Sequence, residues 1–85
     1  QEIIYHTADG KLLETSIGNL VLKINGKLYT PPSTLGLLPG IYRQHLLESG
    51  QVEEKILTIE DLKRADVIYG CNAVRGLYEL SVKEN

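Results

Sequence analysis

The dipeptide Asn25-Gly26 constrains this chain more than any other feature of its sequence. In a two-residue connection between antiparallel strands both central positions take φ > 0, which Asn and Gly accept at least cost, so the pair marks a tight hairpin. The flanking residues agree. Leu20, Leu22 and Ile24 alternate on one face of a strand over residues 19–24, and residues 27–30 form the returning strand. A further hairpin is predicted at the N-terminus, where Ala8-Asp9-Gly10-Lys11 separates the β-branched and aromatic run of residues 2–6 from Leu12-Leu13.

Pro31-Pro32 end the strand before them, and the stretch up to Pro39-Gly40 reads as an ordered loop. A helix is predicted over 41–49, with Ile41, His45 and Leu46 in one stripe, Leu47 beside it and Gly50 in the left-handed position after its end. Residues 52–57 read as a strand of mixed polarity. Thr58-Ile59-Glu60-Asp61 resembles a capping box with Asp in place of the usual Glu, opening a short helix over 62–65. Strands at 67–69 and 77–82 close the chain. The expectation is an α+β fold: an antiparallel-rich sheet or partial barrel with two short helices, and not a doubly wound sheet.

Length and composition narrow the function classes. At 85 residues the chain holds one core at most, and a core of this size is marginal without further protein. A formal charge of -2 supplies no field for nucleic acid, and no apolar run reaches the length of a membrane-spanning helix. With Cys71, His6 and His45 as the only soft ligands, neither a disulfide nor a metal site is expected. The absence of Met and of any leader-like segment reads as a processed piece or fragment of a cytoplasmic protein.

Three interruptions stand out against this background, and functional residues concentrate in such loops beside rigid strands. They are Glu14-Thr15-Ser16-Ile17-Gly18-Asn19, the stretch Gly36-Leu37-Leu38-Pro39-Gly40-Ile41-Tyr42-Arg43 running into a helix, and Gly70-Cys71-Asn72-Ala73-Val74-Arg75-Gly76. The second would present free backbone N–H groups at a helix start, which favours an anion such as phosphate. Taken singly, each has a plain structural reading: Glu14 as a solvated strand-end carboxylate, Gly40 as a helix cap, Arg75 as a surface charge at a turn.

Together, and in this order, the segments resemble the C-terminal half of the fold-type IV pyridoxal-phosphate enzymes. That family includes branched-chain and D-amino-acid aminotransferases and aminodeoxychorismate lyase. The likeness runs from Leu13 to about Leu80. Glu14 to Leu20 is similar to the family's Glu-x-x-x-x-Asn-Leu/Ile, Tyr29-Thr30-Pro31-Pro32 to its Tyr-Thr-Pro-Pro, and Leu38 to Arg43 to its Leu-Pro-Gly-Ile-Thr-Arg. Leu57 to Leu62 is similar to Leu-x-x-Glu-Asp-Leu, and Cys71 to Gly76 is most similar to the lyases fused behind component I of p-aminobenzoate synthase.

The resemblance implies that residues 1–85 are an incomplete C-terminal domain of the D-amino-acid aminotransferase-like fold, working with pyridoxal 5′-phosphate. It implies cofactor contacts from Glu14 at the pyridine nitrogen, from Asn19, from Gly40, Ile41 and Tyr42 at the helix start, and from the turn at Asn72 and Ala73. Tyr42 departs from the family's Thr, which leaves only a backbone donor there. Arg75 is placed against a substrate carboxylate. The family's Schiff-base lysine falls upstream of Gln1, so no catalytic residue is expected within the chain and the piece alone should be inert. The implied activity is release of pyruvate from a small-molecule substrate, 4-amino-4-deoxychorismate, leaving p-aminobenzoate for folate synthesis, in a homodimer. The alternatives are an aminotransferase fragment, disfavoured because those enzymes prefer a Gly-Thr turn where this chain has Asn-Ala-Val-Arg-Gly, and a non-catalytic interaction domain of the same fold.

Overall fold

The computed structural model describes residues 2–81. Its strands are β1 (Ile4–His6), β2 (Leu12–Thr15), β3 (Asn19–Ile24), β4 (Lys27–Thr30), β5 (Val52–Glu54), β6 (Val67–Asn72) and β7 (Gly76–Glu79), with helices α1 (Ile41–Glu48) and α2 (Ile59–Arg64). Asn25 and Gly26 take φ of 52° and 81°, so the hairpin joining β3 to β4 has both central residues in the left-handed region. It sets the register Leu22 to Tyr29 and Ile24 to Lys27.

Strand β3 is the organising element. Along one edge it pairs antiparallel with β6, from Asn19 opposite Cys71 to Lys23 opposite Val67. Its other edge is shared between β2 at the start, through Asn19 opposite Glu14, and β4 at the end. β1 extends the sheet beyond β2, β5 beyond β4 and β7 beyond β6, and the sheet stays open.

Both faces of β3 are covered. Leu20, Leu22 and Ile24 meet Leu12 and Leu57 in one cluster, closed over by Ile59, Leu62 and Ala65 around α2. Val21 points the other way, into a second cluster with Leu46 of α1, Val52 and Cys71. The alternation expected from the sequence is therefore present, with a core on each side of it.

The architecture is the expected α+β one, with several differences in detail. β5 pairs parallel to β4, Leu28 opposite Val52, because the intervening chain carries α1 across the sheet and returns in the same direction. β5 stops at Glu54 rather than 57: Val52 belongs to the α1-side cluster, but Leu57 crosses to the α2 side, where its carbonyl accepts from Leu12 N–H at 2.7 Å. β6 runs on to Asn72 because Gly70 and Cys71 stay in register with Leu20 and Asn19. At Gly70 a Cβ would sit 2.8 Å from the ring of Tyr78, its cross-strand partner, so the missing side chain gives the aromatic ring its place. β7 spans Gly76–Glu79, and the predicted extension to Val82 lies outside the described residues.

The two helices begin and end for identifiable reasons. Thr58 and Asp61 form the capping box in full, and α2 starts directly after it at Ile59 rather than at 62. Gly50 takes φ 78° after α1, as predicted. The buried stripe of α1 differs from the expected one. Arg43 and Leu46 are its buried residues, whereas Ile41 is 82% exposed and His45 also faces outward. Arg43 is buried because its Nη2 donates to the Pro31 carbonyl at 3.0 Å and to Glu54 Oε2 at 2.5 Å, tying α1 to β4 and β5. No helix among the described residues is long and apolar enough to cross a membrane.

The Arg43 hydrogen bond holds the Glu54 carboxyl below its ordinary 4.5, against burial that pushes it up. A carboxyl depressed in the folded state stabilises above its unfolded value, and that contribution disappears as pH falls through the folded one. Denaturation midpoints of the intact protein should therefore drop as pH is lowered below about 4.5. Glu54→Gln should flatten this response and cost about 1–2 kcal/mol at pH 7, a modest figure because Glu54 is half in solvent. Asp61 supplies the residual acid sensitivity of that variant: burial pushes it up, but Arg64 and the Thr58 cap outweigh this and hold it below 3.8.

Candidate functional site

The three interruptions meet at one end of the sheet. Thr15 ends β2, Asn19 begins β3, Gly40 precedes α1 and Asn72 ends β6, and the loops between them enclose a cavity of about 570 Å³. Glu14, Asn19, Gly40, Ile41, Asn72 and Ala73 all line it.

Glu14 and Asn19 are directly opposed across the β2–β3 hairpin, so both side chains project from the same face. This pairing explains why an acid and an amide five residues apart act as neighbours. They converge on the backbone of one residue, Leu38. Glu14 Oε1 accepts from Leu38 N–H at 3.0 Å, and Asn19 Nδ2 donates to the Leu38 carbonyl at 3.1 Å. Asn19 is buried, and its Oδ1 lies where a Cβ on Gly40 would collide with it. Any side chain at position 40 must displace that amide.

The loop between β2 and β3 is held from inside. Thr15 Oγ1 donates to the Gly18 carbonyl at 3.0 Å, and Ser16 Oγ accepts from Ile3 N–H at 3.1 Å. Gly18 lies so close to β6 that a Cβ would be 2.5 Å from the Cys71 carbonyl. From the other side, Asn72 Nδ2 donates to the Ile17 carbonyl at 3.2 Å while its Oδ1 accepts from Val74 and Arg75 N–H at 3.0 and 2.8 Å. The Asn72 side chain thus welds the β2–β3 loop to the β6–β7 turn, and all its bonding groups are in use.

Ile41 is the first residue of α1, and the helix begins without a side-chain cap and without an acidic residue in its first turn. Such an end carries free N–H groups and a positive dipole end. Two of the residues predicted for the site lie outside the cavity lining. Tyr42 turns toward the α1-side core, its hydroxyl near Gly76 and its ring 5.8 Å from that of His45. Arg75 stacks its guanidinium 4.1 Å over the Tyr78 ring. Conversely, Leu38 and Cys71 line the cavity although neither had been assigned a part. The exposed Leu38 had a signal in the Leu-Pro-Gly stretch, whereas its contacts arise from tertiary pairing alone. Burial pushes the Cys71 thiol up to about 11, with Arg43 opposing it, so this cysteine is a neutral packing group at neutral pH.

Residues 1–81 match the family model described as amino-transferase class IV. The chain belongs to that family. A Haemophilus influenzae protein of unassigned function is 39% identical over 69 residues, which cover 81% of this chain and 36% of that protein. A Schizosaccharomyces pombe protein provisionally named an aminodeoxychorismate lyase is 31% identical over 78 residues, covering 88% and 34%. Among solved structures, a provisionally named amino-acid aminotransferase from Mesorhizobium loti superposes with a TM-score of 0.87 at 36% identity, over 94% of this chain and 39% of that one. An aminotransferase from Brucella abortus solved with its cofactor PLP gives a TM-score of 0.80 at 28% identity, over 93% and 30%. The chain spans about a third of the length of the curated relatives it matches, and its fold is the fold-type IV architecture.

The contact between Gly40 and Asn19 yields a direct test. Gly40→Ala should displace the Asn19 amide, release the Leu38 carbonyl and cost about 1–3 kcal/mol, the usual range for overpacking. Chemical denaturation of the intact protein, compared with Gln44→Ala at an exposed α1 position outside the cavity, measures it.

Proposed function

We propose that this chain is the C-terminal part of a pyridoxal 5′-phosphate-dependent 4-amino-4-deoxychorismate lyase, of the kind fused behind p-aminobenzoate synthase component I. Acting with the rest of its protein, it would release pyruvate and leave p-aminobenzoate. The reading rests on the convergence of Glu14, the α1 start and the Asn72–Ala73 turn on one cavity.

The residues present suit the cofactor. An uncapped helix end free of acidic side chains suits a dianionic phosphate, and the Gly40 position admits no side chain that would fill the space. Glu14 commits Oε1 to Leu38 and retains Oε2 as an acceptor. In this reading Ile41 and Tyr42 bind the phosphate through backbone N–H groups, joined by the turn at Asn72 and Ala73. Glu14 holds a proton at the pyridine nitrogen. When bound, the protonated ring supplies an electron sink for a carbanion formed on the substrate. Asn19 and Asn72 orient the two loops, and the apolar rim of Ile17, Leu38 and Ile41 excludes water once covered. Arg75 remains a candidate for the substrate carboxylate on the condition that it leaves the Tyr78 ring.

The choice of lyase over aminotransferase follows the Asn72 turn. Its Asx-type bonds to Val74 and Arg75 come from the Asn72 carboxamide, for which a Gly-Thr turn offers only the weaker hydroxyl of Thr. The 36% identity to the Mesorhizobium loti protein favours the second reading, an amino-acid aminotransferase.

The intact protein loaded with pyridoxal 5′-phosphate should convert 4-amino-4-deoxychorismate to pyruvate and p-aminobenzoate. Amino transfer to a 2-oxo acid without pyruvate release would establish the second reading, and neither activity would leave an interaction domain. Glu14→Ala should lower kcat by roughly a hundredfold or more while sparing far-UV circular dichroism. Unchanged turnover in that variant would remove Glu14 from the chemistry.

A further inference from the structure

Leu38 carries its side chain 73% exposed, so the loop gains no hydrophobic anchor from it. The two peptide groups that flank it are nevertheless both bonded, its N–H to Glu14 Oε1 and its carbonyl to Asn19 Nδ2. Two bonds of opposite polarity to a single residue fix its backbone in position and in rotation, which one bond alone leaves free. The two side chains come from opposed positions of a hairpin, so the clamp is as rigid as the sheet behind it. Two residues further on, Gly40 rests against the same Asn19 amide and α1 begins.

We propose that Glu14 and Asn19 clamp the backbone of Leu38, one on each of its flanking peptide groups, so as to set the position of the α1 start. The clamp makes the anion-holding helix end and the Glu14 carboxylate one rigid unit. Asn19 is then a positioning residue, and Glu14 has two tasks, Oε1 for the loop and Oε2 for the ring nitrogen. The inference rests on the reading that the α1 start receives the cofactor phosphate.

The test uses the full-length protein and two readouts: amide hydrogen exchange over residues 36–42, and affinity for pyridoxal 5′-phosphate against pyridoxal, which lacks the phosphate. Asn19→Ala should speed exchange and weaken pyridoxal 5′-phosphate binding, each by about tenfold, the effect of losing one such hydrogen bond, while pyridoxal binding stays unchanged. Asn19→Asp, which keeps the shape under Gly40 but loses the donor, should behave alike and serves if the alanine variant folds poorly. Glu14→Gln should keep slow exchange and the phosphate preference, because its amide oxygen still accepts from Leu38 N–H, whereas Glu14→Ala should lose both. Wild-type exchange and wild-type phosphate preference in both Asn19 variants would overturn the clamp and leave the functional reading standing. Equal losses for both ligands would overturn it too, as a general loss of structure. A wild-type protein that does not distinguish the two ligands would overturn the functional reading itself, and the proposal with it.

Discussion

Every other part of this molecule depends on the double pairing of β3. Residues 20–22 have no exposed surface; all three pair with β6, and Asn19 and Leu22 on either side of Leu20 and Val21 pair with β2 and β4 across the other edge, so the backbone there has little freedom to shift. A one-residue slip would exchange Leu20 and Leu22 for Val21 between two cores of different shape. The Asn25-Gly26 turn fixes the register at one end. At the other end, Asn19 faces Glu14 on one side and Cys71 on the other, and all three line the cavity. The site is therefore the frayed end of the most constrained strand, which gives loops a firm base.

Features set by neighbours in sequence were legible and those set by distant pairing were not. Asn25-Gly26, Asp9-Gly10, the Thr58–Asp61 capping box and Gly50 each act through their own backbone or a residue three positions away, and each appears where the sequence places it. The parallel pairing of β4 with β5 is decided by a crossover of about twenty residues, and strand patterns carry no sign of direction. Arg43 illustrates the same limit on α1. An arginine reads as solvent-facing until Glu54 and the Pro31 carbonyl, both supplied by the sheet edge, make its burial possible.

For the site, the sequence names three segments, and the fold brings all three to one cavity. What no local pattern announces is the bracing between them: the Asn72 side chain bonds Ile17 and the following turn. Tyr42 was marked as a departure, and its ring is turned into the α1-side core, so its hydroxyl plays no part in the cavity. Arg75 has an aromatic platform built by Gly70, which leaves Tyr78 room, and its guanidinium stacks there instead of joining the cavity lining.

A grip made of main-chain amides has a particular weakness. A side-chain ligand can adjust its rotamer to a shifted anion, whereas N–H groups at a helix start move only with the helix. On the α1 side this chain has lost the one hydroxyl that could adapt, since Tyr42 points elsewhere. In the proposed reading, affinity for a phosphate there would then depend on where the loop before α1 sits. The loop has little apolar anchoring of its own beyond Leu37, with Leu38 and Pro39 both exposed. Its placement falls to polar bonds from the sheet, and Glu14 and Asn19 supply them at Leu38. The spacing between these two residues is thus a structural requirement before it is a chemical one: any other register of the β2–β3 hairpin would separate the acid from the amide and leave the helix start adrift.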